Sequence, residues 1–410
     1  MKKNYTLLLL LLLSLPYISE AQQSYIITFV HDSKTVYGTF TTPNGTGPFP
    51  TIIINAGSGA SERDGITPLI GANAACLYPA LLNDTLRPYK ELADALEDSG
   101  YAVLRYDKLE YTYPTTLGTI TFHKVWLPVE SAIDYVKTRS DVDTNSIILI
   151  GHSEGSSLIP FIAKGRSDIK ALISIAGART PFDSILAYQL VNIAQTCGGN
   201  VAQAQSQANQ ILNYFNKIRT NTWNGSTPFL FGAPASTWYD YVRATDSVAT
   251  NYNLNSLPTL FLGMGLDFNV PPAELIRFQN EVTITNDFWS MPGLNHYLTP
   301  NNDPNVSKAV TDTIIYWLRQ SVFTPKIEKN YSDVNRIQTY PNPFSNELTF
   351  SLADNMQSTV SLYGFLGQQI LQHTFINSST LNTEQLADGI YFYELRNSKG
   401  TLKTGRVLKQ

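Results

Sequence analysis

Five short stretches of almost unbroken apolar residues limit what this chain can fold into. They are "FPTIIINAGSG" (Phe49–Gly59), "YAVLRYD" (Tyr101–Asp107), "SIILIGHS" (Ser146–Ser153), "IKALISIAG" (Ile169–Gly177) and "LPTLFLGMG" (Leu257–Gly265). A strand with one face in water alternates apolar and polar residues, whereas runs of this kind belong to strands covered on both faces. Between them lie segments with helical spacing: "YKELADALEDSG" and "SSLIPFIAKG", each closed by glycine, and "LPVESAIDYVKTRS". Strand and helix alternate, which predicts an α/β fold with a mainly parallel central sheet and helices on both faces. Ahead of the alternation, "SYIITFV" and "TVYGTFTTP" flank His31-Asp32-Ser33 and read as a hairpin.

Three regions fall outside this pattern. Residues 1–21 join Lys2 and Lys3 to a Leu7–Leu13 run, a Pro16 breaker and a small-residue site at Ser19-Glu20-Ala21, the layout of a secretory signal peptide. The apolar run is too short to span a bilayer and no second run of spanning length follows, so no stable transmembrane segment is expected. Residues 181–250 interrupt the alternation with helical segments, most simply a helical cap over the carboxyl edge of the sheet within a domain of residues 22–322. A polar stretch at 323–337 reads as a linker to an all-β domain at 338–410, where "ELTFSL" and "TVSLYGF" alternate.

A net charge of −4 with 15% charged residues provides no basic field, so neither nucleic acid nor an anionic membrane is expected as a partner. Cys76 and Cys197 are the only thiols. In an exported protein they form a disulfide or remain two buried cysteines, and their spacing does not choose between these.

The chemistry concentrates around Gly151-His152-Ser153-Glu154-Gly155, a G-x-S-x-G pentapeptide. A nucleophile elbow needs a buried strand before it and a helix after it, with small flanking residues because a Cβ there collides with its neighbours. "SIILI" and "SSLIPFIAKG" supply both elements. A serine needs a base, and of five histidines only His296, in "MPGLNHYL", follows the nucleophile at the position the Ser…Asp…His order requires. Asp267, at the end of "LPTLFLGMGL", is the expected acid; Asp287, at the start of the next strand, is the alternative and reads as a turn residue. The oxyanion donors are expected to be the backbone amides of Glu154 and of Ser58, in the Gly57-Ser58-Gly59 loop after "TIIIN". No Walker lysine follows that loop, and no metal-ligand cluster is visible, so neither cofactor nor metal is expected.

With "NAGSGASERDG", "GYAVLRYDK", "IGHSEG" and "IAGARTPFDSILAYQL" together, residues 24–320 resemble the α/β-hydrolase family, and within it a bacterial esterase and dienelactone-hydrolase-like branch. The resemblance implies triad roles for Ser153, Asp267 and His296 and a structural clamp for Arg63 and Asp64. Ala60 and Glu62 depart from the branch's usual Pro and Asp, and "YDKLEY" lacks its Arg-Gly. The tail, with "YPNPF", "LADGIYFYEL" and "KTGRVLK", resembles the carboxyl-terminal sorting domain of the type IX secretion system of Bacteroidetes, which implies that machinery as a partner.

The expectation is therefore a secreted serine hydrolase acting on a small-molecule carboxylic ester. A peptidase or thioesterase using the same triad, or a surface binding protein on a hydrolase scaffold, are the alternatives. The cap aromatics Tyr214, Phe215, Trp223, Phe229, Phe231, Trp238, Tyr239 and Tyr241 are expected to be mostly cap core, with some walling an apolar pocket.

Overall fold

The hairpin forms as β1 (Gln23–His31) and β2 (Lys34–Thr42), paired antiparallel through Asp32 and Ser33 at φ +45° and +62°. Two consecutive positive φ values give a turn whose twist matches the flanking strands. The apolar runs then become β3 (Phe49–Asn55), β4 (Ala102–Tyr106), β5 (Val142–His152), β6 (Ile169–Ile175), β7 (Thr259–Met264) and β8 (Asn286–Met291). The strand order is β1-β2-β4-β3-β5-β6-β7-β8. From β4 to β8 every neighbour is parallel, while β2 meets β4 antiparallel.

This computed structural model describes residues 23–223, 230–323, 337–352, 357–364, 369–397 and 400–409. The expected signal peptide, most of the expected linker and Phe229 lie outside the described residues.

Helices α1 (Pro88–Glu97), α2 (Pro128–Val136) and α3 (Glu154–Ala163) fill the connections between strands. Each turns an apolar face to the sheet: Leu92, Ala93 and Leu96 on α1, Val129, Ala132, Ile133 and Val136 on α2, Leu158, Ile159 and Ile162 on α3 are all buried. Opposite them, Ile147 to Ile150 at the centre of β5 are completely buried, which is why that strand tolerates no polar alternation.

Between β6 and β7 run α4 (Phe182–Thr196), α5 (Val201–Arg219), α6 (Ala235–Thr245) and α7 (Val248–Asn255). The helical excursion therefore extends past residue 250. The reason is Tyr252, whose ring packs on Phe261 and Phe278 and whose hydroxyl donates to Ser156 O at 2.7 Å, so α7 belongs to the layer against the sheet. Among the cap aromatics, Phe215, Trp238 and Tyr241 are buried against one another and Phe182, whereas Phe231 is 61% exposed. Two more helices, α8 (Ala273–Glu281) and α9 (Lys308–Trp317), complete the layers.

Cys76 and Cys197 form a disulfide, joining the short helix Gly71–Leu77 to the residue that caps α4. The chain divides into two compact units, residues 1–324 and 325–410. In the second, the strands among the described residues pair antiparallel. One sheet holds β9 (Ile337–Tyr340), β10 (Glu347–Leu352) and β13 (Ser378–Asn382). The other holds β11 (Ser358–Tyr363), β12 (Gln369–Phe375), β14 (Gly389–Asn397) and β15 (Gly400–Lys409). Its own core gathers Leu348, Phe350, Val360, Leu362 and Leu395. Among the described residues no helix is long and apolar enough to cross a membrane.

Candidate active site

At the end of β5 the chain turns sharply into α3, and Ser153 occupies the turn with φ +53° and ψ −120°. A non-glycine residue at such angles is strained by about 1–3 kcal/mol and persists only where the surroundings impose it. They do here: Ser153 N–H donates to Ile175 O at 2.9 Å and Ser153 O accepts from Ser156 N at 3.0 Å. Both motif glycines are required by space. A Cβ on Gly151 would lie 2.4 Å from Gly155 O, and one on Gly155 would lie 2.3 Å from Asn55 O.

His296 sits on the loop after β8 and is buried, with Nδ1 2.8 Å from Asp267 Oδ2. A carboxylate can only accept, so Nδ1 carries the hydrogen and the Nε2 lone pair of the neutral ring is left for another proton. Asp267 follows β7, and its second oxygen accepts the N–H groups of Asn269 and Val270, each at 2.8 Å. Asp287 is elsewhere: it accepts from Trp317 Nε1 at 2.9 Å. Ser153, His296, His152 and Ser58 line one cleft of about 290 Å³.

His152, inside the motif, makes contacts the sequence did not disclose. Its Nε2–H donates to His296 O at 2.9 Å, so its Nδ1 accepts from the Tyr89 hydroxyl, also at 2.9 Å. That hydroxyl accepts from Gly57 N–H at 3.0 Å. Burial, reinforced by neighbouring His296, pushes the His152 pKa down to about 3, and burial raises that of Tyr89. A neutral ring thus ties the loop bearing Gly57 to the loop bearing His296.

Charged side chains hold the Gly57 loop from outside. Arg63 grips Asp107 through its backbone N–H and two guanidinium nitrogens at 2.6–2.9 Å, and Arg105 Nε donates to Asp64 Oδ1 at 2.6 Å. Glu62 accepts the N–H groups of Asp64 and Ile66. The Glu154 side chain is buried: Trp126 Nε1 and the Tyr241 hydroxyl donate to its Oε1, each at 3.1 Å, and Lys108 Nζ lies 3.6 Å from its Oε2.

Two chambers flank the cleft. One, about 540 Å³, is mainly apolar and runs between helix Gly71–Leu77 and α4, sharing Gln189, Asn269 and Tyr297 with the cleft. The other, about 350 Å³, begins at Ser58, Gly59 and Ala60 and is walled by Trp126, Phe182, Phe231 and Trp238. Phe231 and Trp238 could be named from the cap composition. Trp126 and Phe182 could not, because they lie outside the aromatic-rich stretch. Among the described residues, no cluster of His, Cys, Asp or Glu could hold a metal ion.

A serine on a strained strand-to-helix turn that shares one cleft with a histidine bonded to an aspartate, on a parallel sheet of this order, is the arrangement of an α/β hydrolase. Residues 81–305, more than half of the chain, match the family model described as serine aminopeptidase, S33, and the chain belongs to that family. Residues 338–410 match the secretion system C-terminal sorting domain. The chain carries this type IX sorting domain, which marks it for the cell surface or the medium. Esterase EstD of Thermotoga maritima is 29% identical over 234 residues, covering 57% of this chain and 50% of that protein. The chain thus spans about half the length of the curated relative it matches. Among solved structures, Est1E from Butyrivibrio proteoclasticus is 18% identical with a TM-score of 0.44, covering 72% of this chain and 97% of that one. An acylaminoacyl peptidase from Pyrococcus horikoshii is 11% identical with a TM-score of 0.49, covering 75% of this chain and 43% of that one.

Proposed function

We propose that this protein is an exported serine esterase that cleaves carboxylic esters of small molecules through an acyl-enzyme. Ser153 Oγ attacks the acyl carbon while His296 Nε2 takes the serine proton. Asp267 holds the imidazole in that tautomer and stabilises the imidazolium, which then protonates the departing alcohol. Water repeats the sequence on the acyl-enzyme: His296 removes its proton, the acid leaves, and the proton returns to Ser153. The amides of Ser58 and Glu154 receive the oxyanion in both halves.

The observation that carries this reading is the His296–Asp267 bond at 2.8 Å on the wall of the cleft that Ser153 enters at positive φ. The 29% identity with an esterase supports the ester as substrate. The aromatic walls of the 350 Å³ chamber support an apolar or aromatic substituent on one side of the bond. Residues 1–21 act as the signal peptide that delivers the chain to the type IX machinery, an assignment supported by Lys2, Lys3 and the Leu7–Leu13 run.

The test is fluorophosphonate labelling of the full chain, followed by p-nitrophenyl acyl esters and aminoacyl-anilides, with Ser153→Ala as control. The wild type should label and hydrolyse the esters, and Ser153→Ala should lose roughly 10⁴-fold or more in kcat. An unlabelled wild type excludes the hydrolase, and turnover of anilides without esters makes it a peptidase.

A further inference from the structure

Glu154 and Lys108 form a buried ion pair that the reaction above does not use. Lys108 Nζ donates to Gly57 O at 3.0 Å, and its side chain is only 9% exposed. Its charge is met by Glu154 Oε2 at 3.6 Å and Glu110 Oε1 at 3.9 Å. Removing two charges from water is unfavourable by several kcal/mol per ion, and well-packed apolar residues of the same volume often serve stability as well. A pair retained there invites a role other than holding the fold.

The carbonyl that Lys108 grips explains what the role is. The Gly57–Ser58 peptide is trans, so Gly57 C=O and Ser58 N–H point in opposite directions along one plane. Fixing the carbonyl on the Lys108 side fixes the direction of the Ser58 N–H on the other. The Gly57 N–H, which belongs to the preceding Ala56–Gly57 peptide, is separately bound by Tyr89, so the peptide planes on both sides of the Gly57 Cα are each held by a side chain. The ammonium also polarises the amide it holds and makes the Ser58 N–H a stronger donor. The other oxyanion amide is Glu154's own, and the Glu154 carboxylate, anchored by Trp126 and Tyr241, is the partner of Lys108.

We infer that the Lys108–Glu154 pair is the positioning device of the oxyanion hole, tying the Ser58 and Glu154 amides to one another. This rests on the hydrolase reading above. Its consequence is specific: the pair matters in proportion to the negative charge on the substrate oxygen, which exists in the transition state and not in the bound ester.

The experiment compares full-length wild type, Lys108→Met and Glu154→Gln. Methionine keeps the apolar stem and deletes the donor; glutamine keeps an acceptor for Trp126 and Tyr241 and deletes the charge. On p-nitrophenyl acetate, kcat should fall about 100-fold in Lys108→Met and about 10-fold in Glu154→Gln, with KM within about 3-fold of wild type. A trifluoromethyl ketone, which forms a tetrahedral adduct with the serine, should lose affinity by the same factors. A non-reactive ether analogue of the substrate should bind as before. Circular dichroism and thermal melting establish that each variant is folded, and if Lys108→Met is not, Glu154→Gln decides on the same readouts. Unchanged kcat in folded variants overturns the inference, as does an equal loss for ketone and ether, which is the mark of a general structural defect. A wild type that neither labels nor turns over overturns the hydrolase reading instead, so the two failures are distinct.

Discussion

The floor of the cleft and the cap above it are held together in different ways. Beneath Ser153, side chains bind backbone: Lys108 to Gly57 O, Tyr89 to Gly57 N–H, His152 to His296 O, Glu62 to two amides, Asp267 to two more. In the cap, side chains bind one another as well as backbone groups such as Leu230 O, which accepts from Trp238 Nε1. Trp238 lies against Trp126, Phe182, Phe215 and Tyr241, Arg219 bridges Asp183 and Asp246, and one disulfide reaches helix Gly71–Leu77. A bond to the backbone fixes the orientation of a peptide plane, which oxyanion stabilisation requires. Packing between side chains fixes only where helices lie. The floor is built for direction and the cap for enclosure, and each should fail in its own way.

The largest effect should come from the floor. In Gly155→Ala the new Cβ would meet Asn55 O at 2.3 Å and Ala56 O at 2.8 Å, backbone atoms of the last residue of β3 and of the residue after it, which cannot step aside. A loss of more than about 5 kcal/mol is expected, visible as insoluble protein or a collapsed melting temperature. A soluble, labelled Gly155→Ala with wild-type melting would show that the turn is not as tightly determined as its angles indicate.

That glycine was legible in the sequence because a strand-to-helix turn leaves no space for a Cβ, a requirement carried by the pentapeptide itself although the atoms a Cβ would strike belong to Asn55 and Ala56. The buried strands were legible for the same reason: a parallel strand inside two helical layers has no wet face, and "SIILI" records that directly. Chain order led to His296, and the structure puts it 2.8 Å from Asp267. What did not show were contacts between residues far apart in the chain. Lys108 reaches back 51 positions to Gly57, and His152 reaches forward 144 positions to His296; no periodicity encodes either. Nothing in a single sequence discloses what His152, inside the motif, faces. The disulfide stayed undecided because 121 positions separate its cysteines, and the helical excursion ran past 250 because Tyr252 is a core residue on a segment with weak helical periodicity.

His152 makes the second prediction, an acid-side one. Its pKa is about 3 in the folded protein and near 6.5 in the unfolded chain. Between those values the unfolded chain takes up a proton that the folded protein refuses. This stability is therefore fully present above pH 6.5 and is lost as pH falls towards 3, by about 5 kcal/mol in all. Urea unfolding followed by tryptophan fluorescence isolates the hydrolase unit, because all five tryptophans precede residue 324. His152→Gln can keep both hydrogen bonds without titrating, so its stability should fall less steeply between pH 6.5 and 4. Parallel slopes for the two proteins would sink this account of the floor's acid sensitivity.

The smallest of the three effects belongs to the cap. The Cys76–Cys197 bond joins the two walls of the 540 Å³ chamber, where Ala74 and Leu77 face Leu190 and Ile193, and touches none of the backbone bonds beneath Ser153. Cys76→Ser/Cys197→Ser should reduce stability by about 3 kcal/mol, since the bond closes a long loop in the unfolded chain. Catalysis should divide by substrate. At a temperature where the variant remains folded, an acetyl ester that leaves the chamber empty should be hydrolysed within about 2-fold of wild type. An ester with a long apolar group should lose about 10-fold in kcat/KM through KM, because loosened walls bind the group less well without disturbing the reacting atoms. If acetyl and long-chain esters lose kcat alike, the disulfide is holding the floor as well, and the division between a directing floor and an enclosing cap would have to be abandoned.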